Sequence, residues 1–205
     1  MPVRSFWLLL ACAALCAALA GAWLGRGLDR SPAPQLASGT WLPQPRPIGA
    51  LALVDQSGAP FTAERLRGAP ALMYFGFTRC PDVCPATLAT LAQVLRARTA
   101  PHLRVIFVTV DPARDTPPLL AAYVHAFDAH FIGLTGSPGA IGALAARLGI
   151  AYQRVSLPGG DYTIDHSAVV LLLDSAGRVV AVFTAPFDAA HLEQDVRRAA
   201  PFLRS

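Results

Sequence analysis

A chain of 205 residues can build one well-cored domain with an accessory segment, and is too short for two ordinary domains. Its formal charge of +4 comes from 17 arginines, with no lysine, against 13 acidic residues, and 54% of the residues are hydrophobic. Charge this sparse, without a basic face interleaved with aromatics, excludes nucleic acid as a partner.

Residues 1–5 form a short amino-terminal segment, and Phe6 to Leu24 follows without a single charge between Arg4 and Arg26. At about 1.5 Å per residue that run reaches about 28 Å as a helix, which matches a bilayer core of about 30 Å. It is expected to be a transmembrane anchor. Ala18-Leu19-Ala20 also resembles a signal-peptide cleavage site, but the apolar run continues past it through Ala22, Trp23 and Leu24. Five leading residues leave no room for an arginine-rich mitochondrial presequence. The expected location is therefore a bacterial inner membrane crossed once, with residues 1–5 cytoplasmic and the globular domain in the periplasm. Cys12 and Cys16 serve inside the apolar run as small apolar residues. Residues 25–47 carry Pro32, Pro34, Pro43, Pro45 and Pro47, a composition suited to an extended linker. The domain is expected over 48–205.

Within it, Leu51 to Val54 and Pro60 to Thr62 flank Ser57-Gly58 as a short hairpin. Ala71 to Phe77 is a continuous apolar run suited to a strand buried on both faces. Leu88, Leu91 and Leu95 give the stretch 87–98 helical spacing. Pro85 fits its first position and makes Cys84 the expected N-cap. Arg104 to Val110 is a second buried strand, Thr116 to Phe127 a helix with Pro117 in its first turn, and Phe131 to Leu134 a short strand. Pro138 to Leu148 is a helix stopped by Gly149. A hairpin turning at Gly159-Gly160, another over 168–184 and a closing helix over 189–200 complete the order. Strands alternating with helices, then hairpins, then a helix predict an α/β fold with a central mixed sheet flanked by helices. A cysteine pair at the first strand-to-helix turn narrows it to a thioredoxin-like domain.

The chemistry collects at that turn. Cys80 and Cys84, three residues apart, stand where unpaired helix N–H groups favour thiolate, in a turn expected to be open to solvent. A disulfide closing so small a loop would constrain little of the unfolded chain. The pair suits metal binding or thiol redox chemistry. His166, just before the apolar stretch 168–173, completes a Cys, Cys, His set. Two soft thiolates suit Cu(I), and the imidazole adds a donor that Cu(II) also accepts. Zinc would take the same atoms. Asp82 between the cysteines and Asp165 before the histidine are candidates to orient a ligand or offer an oxygen, with solvated turn carboxylates as the plainer reading. Asp111 and Arg114 sit at the carboxyl end of the second strand, where sites of open sheets gather. Local turn capping is the plainer role for Asp111, Asp115 and Thr116. His102, His125, His130 and His191 have no partner spacing.

Gly76-Phe-Thr-Arg-Cys80-Pro-Asp-Val-Cys84-Pro85, Val108-Thr-Val-Asp111-Pro-Ala-Arg114-Asp115-Thr-Pro117 and Asp161-Tyr-Thr-Ile-Asp-His166-Ser-Ala resemble, in order, the signature blocks of the Sco/SenC family. The resemblance implies a membrane-anchored thioredoxin-like protein that binds copper for cytochrome c oxidase assembly, with Cys80, Cys84 and His166 as ligands. It implies a copper chaperone, not an enzyme with turnover, that delivers its metal to the binuclear copper centre. The implied partners are the oxidase's copper-bearing subunit and another periplasmic copper carrier or a thioredoxin-like reductant. The alternative is a thiol-disulfide oxidoreductase whose redox-active pair, Cys80 and Cys84, reduces the subunit's cysteines before loading. Three intervening residues instead of two make that pair less like the thioredoxin motif.

Overall fold

The computed structural model describes residues 7, 10, 12–21 and 33–204. Two compact units divide the chain, residues 1–33 and 34–205. In the first, residues 7, 10 and 12–21 are helical. Among the described residues no helix is long and apolar enough to cross a membrane, and the anchor expected over 6–24 lies partly outside them.

The second unit is built on an eight-stranded mixed sheet. Its strands are β1 (Gly39–Pro47), β2 (Leu53–Asp55), β3 (Pro60–Phe61), β4 (Ala71–Gly76), β5 (Arg104–Thr109), β6 (Ile132–Thr135), β9 (Val169–Leu173) and β10 (Arg178–Thr184), with β7 (Tyr152–Ser156) and β8 (Tyr162–His166) forming a separate antiparallel pair. The order across the main sheet is β1-β10-β9-β4-β5-β6-β2-β3. β4, β5 and β6 run parallel, while the remaining pairings are antiparallel. Every residue of β4 is buried, as its unbroken apolar sequence requires of a central strand covered on both faces. Tyr74 and Phe75 of β4, Phe77 just after it and Phe107 of β5 are among the largest fully buried side chains, each contributing about 2 to 3 kcal/mol of burial.

Four helices flank the sheet: α1 (Val83–Arg96), α2 (Pro117–His125), α3 (Pro138–Leu148) and α4 (Ala189–Ala199). α1 buries Cys84, Leu88, Leu91 and Ala92 along one stripe and packs beside α4, while α2 lies on β6. α3 begins at the Ser137 side-chain cap and ends at Gly149, whose φ of 73° is the left-handed conformation that glycine adopts without a Cβ clash. Gly159 and Gly160, at φ of 85° and 84°, make the β7–β8 turn for the same reason.

Two expectations change. Residues 39–47 are not a spacer; they form β1, paired antiparallel with β10 at the rim of the sheet. Proline composition does not exclude this, because an edge strand has one side on which a missing N–H goes unused. The irregular register between Trp41 and Arg46 accommodates the intervening residues. The chain entering β1 is fastened too, since the buried Asp195 of α4 accepts from the N–H groups of Ala37 and Ser38 at 2.7 Å. The second change is at α1, which starts at Val83 with Asp82 as N-cap, so Cys84 lies inside the first turn. Pro85 is still accommodated, because no N–H of the first turn has an intrahelical partner to lose.

Candidate metal centre

β4 ends at Gly76, and the chain turns through Phe77 and Thr78 into Cys80, whose N–H donates to the Phe77 carbonyl at 3.2 Å. The N–H of Cys84 then donates to Cys80 Sγ at 3.4 Å, so the first turn of α1 points a backbone donor at the other sulfur. From the opposite side β8 brings in His166, whose Nε2 lies 3.3 Å from Cys84 Sγ. The two sulfurs and an imidazole nitrogen all lie within 4.8 Å of one another, and both cysteines are free thiols.

The surroundings fix each donor. His166 Nδ1 sits 3.2 Å from the Ser167 carbonyl. A carbonyl only accepts, so Nδ1 carries a proton and Nε2 is the nitrogen that faces the sulfurs. The rings of Tyr74 and Phe77 meet the imidazole edge-on, each with centroids 6.0 Å away. Tyr74 donates its hydroxyl to Cys84 Sγ at 3.7 Å. At Gly76 a side chain is excluded by the site itself, since a Cβ would stand 2.8 Å from both Cys84 Sγ and a ring carbon of Phe107.

The thiols divide one proton unequally. The hydrogen bond from Cys84, opposed by burial and helped by His166 and backbone N–H groups, lowers Cys80 to about 4. Cys84 moves up, because its proton bonds to the Cys80 sulfur and burial disfavours a second anion. Burial, followed by the charge near Cys84, likewise raises Tyr74 and keeps it a neutral donor. The resting pair is a thiolate on Cys80 held by a thiol on Cys84.

The cysteines are less open than a solvent-facing turn: Cys84 is 0% exposed and Cys80 9%, because aromatic rings and the β7–β8 hairpin cover them. Beside His166 lies a depression of about 450 Å³ lined by Ala151, Tyr152, Gln153, Asp165 and Ser167, which neither cysteine reaches. Of the candidate carboxylates, none joins the donor group among the described residues. Asp82 is exposed and its side chain caps nothing. Asp165 is exposed and, as the strand neighbour of His166, alternates to the other face. Asp111 is buried and engaged elsewhere, accepting from the Tyr162 hydroxyl at 2.8 Å and from Arg114 Nε.

The plainer capping role expected of Asp115 understates it. Its buried carboxylate accepts from Thr78 N–H at 3.0 Å, Thr78 Oγ1 at 2.6 Å and Thr109 Oγ1 at 2.5 Å, which ties the stretch leading to Cys80 to the end of β5. The signal in the sequence was a polar residue, Thr78, between a buried strand and the first cysteine, needing a partner that only the fold supplies.

The SCO1/SenC family model matches residues 43–201. A SCO2-like protein of Rickettsia prowazekii is 39% identical over 139 residues, 66% of this chain and 68% of that protein. Two copper-bound structures share the fold: Bradyrhizobium japonicum ScoI, with 39% identity, a TM-score of 0.65 and coverage of 72% of this chain and 98% of that one, and Arabidopsis thaliana ScoI, with 33%, 0.70, 73% and 95%. The central mixed sheet and its helices are the thioredoxin-like α/β fold of these Sco structures. With its cysteine and histidine blocks gathered at one site and most of its second unit matched, the chain belongs to the SCO1/SenC family.

Proposed function

We propose that this protein is a copper carrier of cytochrome c oxidase assembly, which takes up copper on Cys80, Cys84 and His166 and passes it to the binuclear centre of the oxidase's copper-bearing subunit. The convergence of two sulfurs and one imidazole nitrogen within 4.8 Å carries this reading. The donors fit the cargo. Cys80 is already a thiolate, Cys84 releases its proton as the metal binds, and His166 has its Nε2 aimed at the sulfurs. Three protein ligands leave room for a partner's ligand to enter before these leave, as transfer requires. Copper bound in ScoI of Bradyrhizobium japonicum and of Arabidopsis thaliana supports the assignment. The same reading includes an anchor over 6–24 in a bacterial inner membrane, with the second unit in the periplasm.

The unequal exposure of the two sulfurs favours one second reading, thiol-disulfide exchange. Cys80 thiolate would attack a partner disulfide, and Cys84, giving up its proton, would displace the partner's second thiol, leaving a Cys80–Cys84 disulfide and a reduced partner.

Copper titration of the full chain carrying Cys12→Ser and Cys16→Ser separates them. The reduced chain should bind one copper and the oxidised chain almost none, with binding lost in Cys80→Ser or Cys84→Ser. His166→Ala should weaken Cu(II) far more than Cu(I). An unchanged Cu(II) EPR spectrum in that variant would remove His166 from the ligand set. Catalytic reduction of an oxidised partner peptide that survives both His166→Ala and copper removal would transfer the function to the second reading.

A further inference from the structure

The hairpin that carries His166 is not part of the main sheet. β7 and β8 pair only with each other, so no ladder of backbone hydrogen bonds fixes the imidazole relative to the cysteines. At the His166 end, the N–H of Ser167 donates to the Ala151 carbonyl, a bond within the hairpin's own base. The chain runs on from there into β9, with the Ala168 carbonyl accepting from the Ala185 N–H at 3.2 Å, and the side-chain fastening of the hairpin lies at its other end, on Tyr162. The Tyr162 ring is held between two guanidinium groups, Arg114 and Arg154, each 3.6 Å from its centroid. Its hydroxyl donates to the buried carboxylate of Asp111 at 2.8 Å. Arg114 pairs with that same carboxylate and also donates to the Tyr162 carbonyl at 2.9 Å and to Asp161 at 3.1 Å. Tyr162, Ile164 and His166 follow the two-residue period of one strand face, with Ile164 buried between the clamp and the ligand.

The segment that holds Tyr162 also holds the cysteines. Asp111 and Arg114 reach the hairpin, while Asp115, one residue on, accepts both hydrogen bonds of Thr78. Two backbone bonds, from the N–H groups of Arg114 and Asp115 to the Asp111 carbonyl, make the segment a single turn.

We propose that the turn Asp111–Asp115 is a bracket that sets the distance between the thiols and the imidazole, with Arg114 and Tyr162 as positioning residues for His166. The proposal rests on His166 being a copper ligand. A metal that needs the imidazole feels the loss of the clamp, while one satisfied by two thiolates does not. Cu(II) is the first case and Cu(I) the second.

The test uses the full chain with Cys12→Ser and Cys16→Ser, comparing it with Tyr162→Phe and Arg114→Leu. Tyr162→Phe removes one oxygen and keeps the stacked ring, so it guards against a variant that fails to fold. Each should lower Cu(II) affinity by about 10-fold and change its EPR spectrum, with Cu(I) affinity close to the parent's. Without metal, amide hydrogen exchange over 162–166 should quicken, and the His166 ring resonances should shift, while exchange in β4 stays unchanged. Cu(II) affinity and spectrum equal to the parent's would overturn the proposal, as would equal losses for Cu(I) and Cu(II). If the parent binds no copper, the functional reading fails by itself. The metal-free measurement still decides the bracket, since faster hairpin exchange supports it and unchanged exchange overturns it.

Discussion

The two halves of the candidate metal centre are held by different physics. Cys80 and Cys84 hang from β4, which is buried throughout and bonded on both sides by β5 and β9. His166 rides on a two-stranded hairpin outside that sheet, which beyond its run into β9 is held by side chains: an aromatic ring between two arginines, one buried carboxylate and one buried isoleucine. Backbone ladders give a position that few substitutions can move. Side-chain clamps give one that a single substitution can. Under the proposed copper-carrier function, the contrast keeps the thiols in place while the third donor remains adjustable.

Removing Asp115 should have the largest effect on this difference. Asp115→Ala leaves the Thr78 and Thr109 donors without their buried acceptor, with an expected loss on the order of 3 kcal/mol in denaturant unfolding. Because the cysteine turn itself is released, Cu(I) and Cu(II) affinities should fall together, unlike in the clamp variants. Retention of full Cu(I) affinity would show that the sheet alone positions the thiols. Gly76→Ala is milder. The added methyl presses on Cys84 Sγ and Phe107, for about 1 to 3 kcal/mol of destabilisation and a lowered Tm. A Tm equal to the parent's would mean that the two walls of the site yield more easily than the packing implies.

The smallest effect is one of protonation. Alkylation of Cys80 in the Cys12→Ser, Cys16→Ser chain should hold its rate from pH 8 down to pH 5 and fall only as pH drops through about 4, where the thiolate takes up its proton. His166→Ala, which removes one of the interactions that lower Cys80, should move that fall to higher pH. A rate that declines steadily below pH 8 would mean that Cys84 does not hold the charge on its neighbour.

Much of the domain was legible in the chain because its signals are local. The apolar run at β4, the proline and glycine that bound α3, and the glycines of the β7–β8 turn depend on neighbours in sequence. Cys80, Cys84 and His166 stood out by residue type and by the blocks around them. The partners of Asp111 and Asp115 were not readable. Four residues apart on one turn, they face a hairpin on one side and the cysteine stretch on the other, and only the arrangement of β4, β5 and β8 decides which. β1 was missed for the opposite reason, since its own composition argued against a strand.

That composition has a further use at the rim. An outer strand presents a row of unpaired N–H and C=O groups that can recruit another chain and start aggregation. β1 covers the exposed side of β10, and Pro43, Pro45 and Pro47 have no N–H to offer to an incoming strand. The prolines that looked like the mark of an extended linker thus make the strand a poor template, and they help to keep a chain that is 54% hydrophobic from growing its sheet into a neighbour's.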